Sequence, residues 1–126
     1  MNFSFDKIQF IISDRMRYNT PGDYFGNKII VYKGLKKKEY IAAVFLHEIV
    51  EYWLIKTARI PIKWIDKFDT DKRFISKQRK AYNKYRKAHF LATLIEREFI
   101  ENLGFNWDKY DNFVEKLRIK VDKSLN

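Results

Sequence analysis

The feature that most constrains the fold is a long segment whose apolar residues surround a helix on nearly every side. Residues 36–59 begin with charged side chains and continue as the apolar run EYIAAVFLHEIVEYWLI. A helix with this pattern is buried over most of its surface. It ends by Pro61, because the residue before a proline avoids helical geometry. We therefore predict a helix over 36–59 that other elements cover on most sides.

Two strands are predicted before this helix. Residues 3–12 alternate apolar and polar side chains, which is typical of a strand. Residues 14–27 contain asparagine, proline and glycine at several positions and predict a loop. Residues 27–33 predict a second strand, which Gly34 closes. The apolar residues that share one face of the first strand are Ile8, Phe10 and Ile12.

Two further helices are predicted after the central one. Residues 61–70 predict a connector, in which Asp69 or Thr70 caps the next helix. That helix covers 71–103 and stops at a glycine, the usual residue just past a helix end. A final helix covers 107–122. This order predicts an α+β fold, with a short N-terminal hairpin or small sheet followed by three helices.

Length and composition restrict the class of protein. A chain of 126 residues fits a single domain, 1–126. The lack of cysteine excludes a disulfide scaffold, a thiolate nucleophile, a cysteine zinc finger and an iron–sulfur cluster. No apolar stretch of the sequence reaches the length of a membrane span, and the first residues lack the pattern of a signal peptide. We therefore expect a cytoplasmic protein with no membrane partner.

The central helix carries three ionisable residues within its apolar surface. His47 and Glu51 are four residues apart and share one face, whereas Glu48 lies about 100° around the helix from His47. No lysine or arginine occurs between Lys38 and Lys56 to pair with the two carboxylates. A buried carboxylate without a partner costs free energy. A divalent cation would compensate for it.

The only other histidine occupies a similar position on the next predicted helix. His89 and Glu96 lie about 20° apart on a core-facing stripe, with the small Ala92 between them. Imidazole and carboxylate groups are ligands of Zn²⁺. The sequence thus predicts a site for zinc, or for another divalent transition metal, between the two helices. The candidate ligands are His47, Glu51, His89 and Glu96. Glu96 is either a fourth ligand or the residue that orients His89.

The segment HEIVE at residues 47–51 resembles the zincin metallopeptidase signature H-E-x-x-H, with Glu51 in the place of the second histidine. The resemblance implies that His47 binds zinc, that Glu48 is the catalytic general base, and that Glu51 takes the second ligand position. In zincins with a glutamate as third ligand, a downstream helix supplies it, and here such a helix offers His89. HEIVE, AHxxATxIE and WxxY together also resemble an uncharacterised prokaryotic and phage-associated group, from which no activity follows.

A basic segment favours a different function. Eight of the sixteen residues 72–87 are basic and none is acidic, in a chain with a net charge of +10. This charge favours weak contact with nucleic acid or another polyanion. The candidate contact residues are Lys77, Arg79, Lys80 and Lys84. Tyr82 and Tyr85 share the stripe of His89, so we expect them in the core rather than stacked on bases.

These observations favour a zincin-like, zinc-dependent hydrolase that acts on a peptide or protein. The main alternative is a non-catalytic binding module, in which the metal is structural or absent and the basic helix contacts nucleic acid or a protein. A nuclease is a third alternative, but two histidines argue against the oxygen-rich sites of Mg²⁺. A purely structural explanation also stays open, with His47 as a hydrogen-bonded core residue and Glu96 paired with a nearby cation.

Overall fold

The computed structural model describes residues 7–125 and has the predicted α+β class, a small sheet followed by helices. Its strands are β1 Gln9–Ser13, β2 Gly22–Phe25 and β3 Lys28–Tyr32. They lie in the order β1-β3-β2. β1 is parallel to β3 and β2 is antiparallel to it, so that β3 is the central strand.

β2 lies inside the segment that the sequence predicts as a loop. Gly26 has a φ of +57°, and with Asn27 it turns the chain between β2 and β3. The glycine and asparagine that favour a loop therefore form the tight turn of a hairpin, and Tyr24 is buried beneath it. The loop prediction is wrong over residues 22–25. The first predicted strand is confirmed over 9–12, and its residues 3–6 lie outside the described part of the chain.

Within the described residues, five helices follow the sheet, where the sequence predicts three. They are α1 Lys38–Thr57, α2 Lys63–Thr70, α3 Lys72–Lys77, α4 Arg79–Asn102 and α5 Trp107–Lys116. Short 3-10 turns cover Lys33–Leu35 and Lys123–Leu125. The prediction for the central helix is confirmed, because α1 begins and ends within two residues of the predicted bounds.

The segments after α1 differ from their predictions for local reasons. The predicted connector contains α2, which buries Ile65 and Phe68. The predicted helix 71–103 is interrupted at Gln78, whose ψ of 43° is not helical. The cap of α3 is Asp71, not Asp69 or Thr70: its carboxylate accepts hydrogen bonds from the backbone N–H groups of residues 73 and 74.

The last helix is shorter than the prediction. α5 ends at Lys116, and the chain then pairs with a segment near its start instead of continuing the helix to residue 122. The N–H of Met16 donates to the carbonyl of Lys120, and the N–H of Asp122 donates to the carbonyl of Met16, both at 2.9 Å. These long-range backbone bonds replace those of a continued helix.

α1 lies between the sheet and α4, and two core clusters meet along it. Tyr52 and Ile55 belong to the cluster near its C-terminal end, and Tyr40 and Val44 to the cluster near its N-terminal end. The buried ionisable residues His47, Glu48 and Glu51 lie between these two pairs. Within residues 7–125, no helix has the length and hydropathy to cross a bilayer.

Candidate metal centre

Three side chains converge between α1 and α4. Glu51 Oε2 lies 3.1 Å from His47 Nε2 and 3.0 Å from His89 Nδ1. One ligand atom from each residue can be chosen so that all lie within 4.8 Å of one another. Two ligand atoms that each lie roughly 2.0–2.2 Å from a tetrahedral zinc are about 3.5 Å apart. Small shifts of these three side chains would therefore let them bind one ion together. The structure therefore brings together three of the four residues predicted as ligands.

Glu51 is held as a charged carboxylate despite being only 3% exposed. Burial raises its pKa, but hydrogen bonds from His47, His89 and Tyr24 outweigh burial and lower the pKa to about 2. The hydroxyl of Tyr24, on β2, donates to Glu51 Oε1 at 2.7 Å and leaves Oε2 to the histidines. The expectation that this carboxylate lacks a protein partner is thus wrong.

The ring of His47 is held in place through Nδ1, the nitrogen that does not face Glu51. Glu96 Oε1 lies 2.7 Å from His47 Nδ1, and the hydroxyl of Tyr110 donates to Glu96 Oε2 at 2.5 Å. A metal-bound histidine usually has such a carboxylate on its second nitrogen, which fixes the tautomer and the ring orientation. Burial lowers the pKa of His47, but the bonds with Glu51 and Glu96 outweigh burial and raise it to about 10.

Glu96 therefore has a different contact from the one predicted. It orients His47 rather than His89, and it lies outside the group of three residues that can share an ion. The sequence gives Tyr110 no role beyond its place in the WxxY segment of the predicted last helix. The signal for its role was available, because a buried tyrosine usually finds a partner for its hydroxyl. The sequence did not indicate which acid it would meet.

Glu48 is buried beside the triad without a hydrogen bond from any residue in the range 7–125. Its pKa is raised well above the ordinary value, first by burial and then by the negative charge of Glu51. The sheet packs tightly on it: a Cβ atom at Gly22 would lie 2.6 Å from Glu48 Oε1. This glycine lets the edge of the sheet cover the carboxylate closely.

A cavity of about 320 Å³ opens beside the triad and Glu48. The side chain of His89 is 47% exposed at this site, so the centre is open to solvent on one side. Within the described part of the chain, the cavity lining contains no lysine or arginine. Its carboxylates come from α1, β2 and α2, and they are Asp23, Glu48, Glu51, Asp66 and Asp69.

The wall of the cavity is held by contacts that the sequence did not reveal. Arg17 donates to both oxygens of Asp23, at 2.7 and 3.0 Å, and to both oxygens of Asp66, at 3.0 and 3.2 Å. This pairing joins the segment before β2 to α2. Asp69 accepts a hydrogen bond of 2.9 Å from the hydroxyl of Tyr85. The sequence places Asp66 and Asp69 only in a capping connector.

The four basic residues predicted to contact nucleic acid lie away from this cavity. Lys77 ends α3, and the other three follow in the first turns of α4, all with exposed side chains. The aromatic residues of the segment are not part of that surface. Tyr82 and Tyr85 pack against Phe68, with ring centroids 5.5 and 5.7 Å from it. The prediction that they face the core is confirmed.

No family model, no curated protein and no solved structure matches this chain. A function for this chain is therefore inferred from the geometry and chemistry of the site.

Proposed function

We propose that the protein is a zinc-dependent hydrolase of zincin-like type that cleaves an amide bond in a peptide or protein. The observation that carries this proposal is the convergence of His47, Glu51 and His89 at the edge of an open cavity, next to the buried Glu48. Three protein ligands with one open side are typical of catalytic rather than structural zinc sites.

The donor set fits zinc better than the hard cations. Two imidazoles and one carboxylate are ligands that zinc accepts in tetrahedral sites, whereas magnesium and calcium prefer oxygen ligands. His47, Glu51 and His89 would hold the ion. When bound, it would act as a Lewis acid that polarises a carbonyl group and lowers the pKa of water.

The residues around the ligands would carry the proton transfer. Glu48 lines the cavity and has no hydrogen bond within residues 7–125, so it is available to accept a proton from an attacking water. The positive charge of a nearby cation would favour the ionised form of Glu48 and offset the burial that now raises its pKa. Tyr24 and Glu96 would keep Glu51 and His47 in place.

The charge of the cavity restricts the substrate. Five carboxylates line it, of which Asp23 and Asp66 are paired with Arg17, and the described lining contains no lysine or arginine. The described lining therefore offers no lysine or arginine to hold phosphate groups, which argues against a nuclease. A neutral or cationic segment of a peptide fits this lining better.

The alternative function is a non-catalytic module that contacts nucleic acid or a protein partner through its basic surface. It is supported by the exposure of Lys77, Arg79, Lys80 and Lys84, none of which forms an ion pair within the described residues. In that case the metal would be structural or absent.

The decisive experiment is incubation of the zinc-loaded protein with a mixture of synthetic peptides, followed by mass spectrometry of the products. Wild-type protein should cleave a subset of the peptides, whereas a metal-loaded Glu48→Gln variant should be at least about 10²-fold slower, because general-base catalysis contributes at least this much. Equal cleavage by the two proteins would contradict the assigned mechanism, and a lack of cleavage by both would favour the binding module.

A further inference from the structure

The outer surface of α4 carries a cluster of exposed apolar side chains. They are Phe90, Leu91, Leu94 and Ile95, and their exposed fractions range from 40% to 62%. The opposite surface of the same helix buries Ala92 and Ile100 against the core. A continuous apolar cluster of this kind on a surface commonly marks an interaction site.

The spacing along this surface is that of a helix–helix seam. Residues 84, 87, 91, 94, 98 and 101 follow one another at intervals of three and four, which places them along one stripe of the helix. Leucines occupy the two central positions, lysines the two N-terminal ones and glutamates the two C-terminal ones. All six side chains are exposed.

This stripe is complementary to a second copy of itself. If two α4 helices pack antiparallel about a two-fold axis between positions 92 and 93, residues at equal distances from that point meet each other. Leu91 would then face Leu94 of the second copy, with Phe90 and Ile95 on the two flanks of this centre. Lys87 would face Glu98, and Lys84 would face Glu101.

We propose that the outer surface of α4 is the interface of a symmetric, antiparallel homodimer. The apolar residues form its centre and the lysine–glutamate pairs form its rim, as in most specific interfaces. Partners of other kinds explain the exposed leucines equally well, but they do not explain why the charges on either side of the centre are of opposite sign at matching positions. That arrangement favours a second copy of the same chain.

The proposed dimer leaves the metal centre accessible. His89 lies about 170° around α4 from the middle of the stripe, and its side chain faces Glu51 of α1. Dimerisation and metal binding are therefore expected to be independent, so the proposal does not depend on hydrolase activity.

The proposal is tested by sedimentation equilibrium over a series of protein concentrations. Wild-type protein should show a reversible shift from the mass of one chain to the mass of two. Leu94→Glu should remain monomeric, because it places two carboxylates in the apolar centre. A wild-type protein that is monomeric throughout would overturn the proposal and leave the stripe to a different partner. A Leu94→Glu variant that still dimerises would also overturn it, because the dimer would then form through another interface.

Charge reversal gives a test of the antiparallel arrangement. Lys87→Glu and Glu98→Lys should each weaken homodimerisation about tenfold or more, because like charges then meet at both ends of the seam. An equimolar mixture of the two variants should form heterodimers of roughly wild-type affinity, since each chain then meets the opposite charge. Lys109→Glu, an exposed reversal on α5, is the matched control and should leave association unchanged. Failure of the mixture to associate better than either variant alone would contradict the arrangement.

Discussion

Glu48 and Glu51 are the same residue type three positions apart, yet their surroundings assign them different roles. Glu51 has three hydrogen-bond donors and a pKa lowered to about 2, so it offers a charged ligand atom. Glu48 has a raised pKa, caused by burial and by the charge of Glu51. It lies against the cavity without a hydrogen bond inside the described range. This difference gives a direct prediction.

Glu48→Gln should retain zinc, whereas Glu51→Ala should lose it. The glutamine keeps the size of the side chain at position 48 and removes its ability to accept a proton. The alanine removes a ligand, so the loss of affinity should exceed the roughly 10–100-fold effect of outer-shell partners. Glu51→Ala should also melt lower without metal, because it leaves the hydroxyl of Tyr24 unpaired. Calorimetric zinc titration and thermal melting measure both effects. Equal zinc loss in the two variants would instead make Glu48 a ligand.

The pH dependence of metal-free stability follows from the same residues. The pKa of His47 is raised from 6.5 to about 10. Its contribution to the free energy of unfolding is therefore complete below pH 6.5 and is lost as the pH rises through 10. The pKa of Glu51 is lowered from 4.5 to about 2. Its contribution to the free energy of unfolding is therefore complete above pH 4.5 and is lost as the pH falls through 2. The raised pKa of Glu48 also reduces stability at higher pH, because the unfolded chain releases that proton first.

With chelator present, the melting temperature should therefore be highest between about pH 4.5 and 6.5 and should fall toward pH 9. Zinc should reverse the trend above pH 6.5, because it competes with the proton on His47. Thermal melts across this range, with chelator and with zinc, measure the effect. A chelated protein that grows more stable between pH 6.5 and 9 would contradict the assigned ionisation of the site.

The sequence predicted the three side chains that converge at this site but not the residues that support them. His47, Glu51 and His89 could be found because helical spacing assigns each to an inward face. Tyr24, Arg17 and the role of Tyr110 could not be found in this way. Their partners lie far away in the chain, and periodicity contains no information about which distant polar groups will meet.

At the scale of whole elements, the local sequence pattern predicted the long central helix well and the short elements poorly. α1 was predicted to within two residues because a run of seventeen mainly apolar residues leaves little choice. β2 and α2 were missed because they are only four and eight residues long, and their polar residues resemble those of loops. The end of α5 depends on backbone bonds to Met16, which no local pattern contains.

The basic surface at the start of α4 gives a prediction at this scale. Any binding of single-stranded nucleic acid should be weak and should fall steeply with salt, with a log–log slope of about −3 for four contacts. Replacement of Lys77, Arg79, Lys80 and Lys84 by Gln should abolish it. Fluorescence anisotropy over a range of salt concentrations measures the binding.

A matched control removes the same charge elsewhere, with Gln at the exposed residues Lys109, Lys116, Lys120 and Lys123. It should retain the binding. Equal loss in both fourfold variants would mean that net charge alone is responsible. Absence of binding by wild-type protein at low salt would leave the basic residues as an ordinary solvated surface.

For the whole molecule, a shared ion would link two parts of the fold. Glu51 and His47 belong to α1, His89 belongs to α4, and Tyr24 connects the site to the sheet. A ligand that binds only the folded state stabilises it by an amount that grows with its concentration. The metal centre and the stability of the whole chain should therefore change together.

The central claim is that His47, Glu51 and His89 bind one divalent transition metal. The most direct measurement is elemental analysis of protein purified without a nickel column, combined with its melting temperature before and after chelation. We expect about one zinc or similar ion per chain in wild-type protein, almost none in a His47→Ala, His89→Ala double variant, and a lower melting temperature for wild-type protein after chelation. Wild-type protein that contains no metal and whose melting temperature does not respond to zinc or to chelator would contradict the claim.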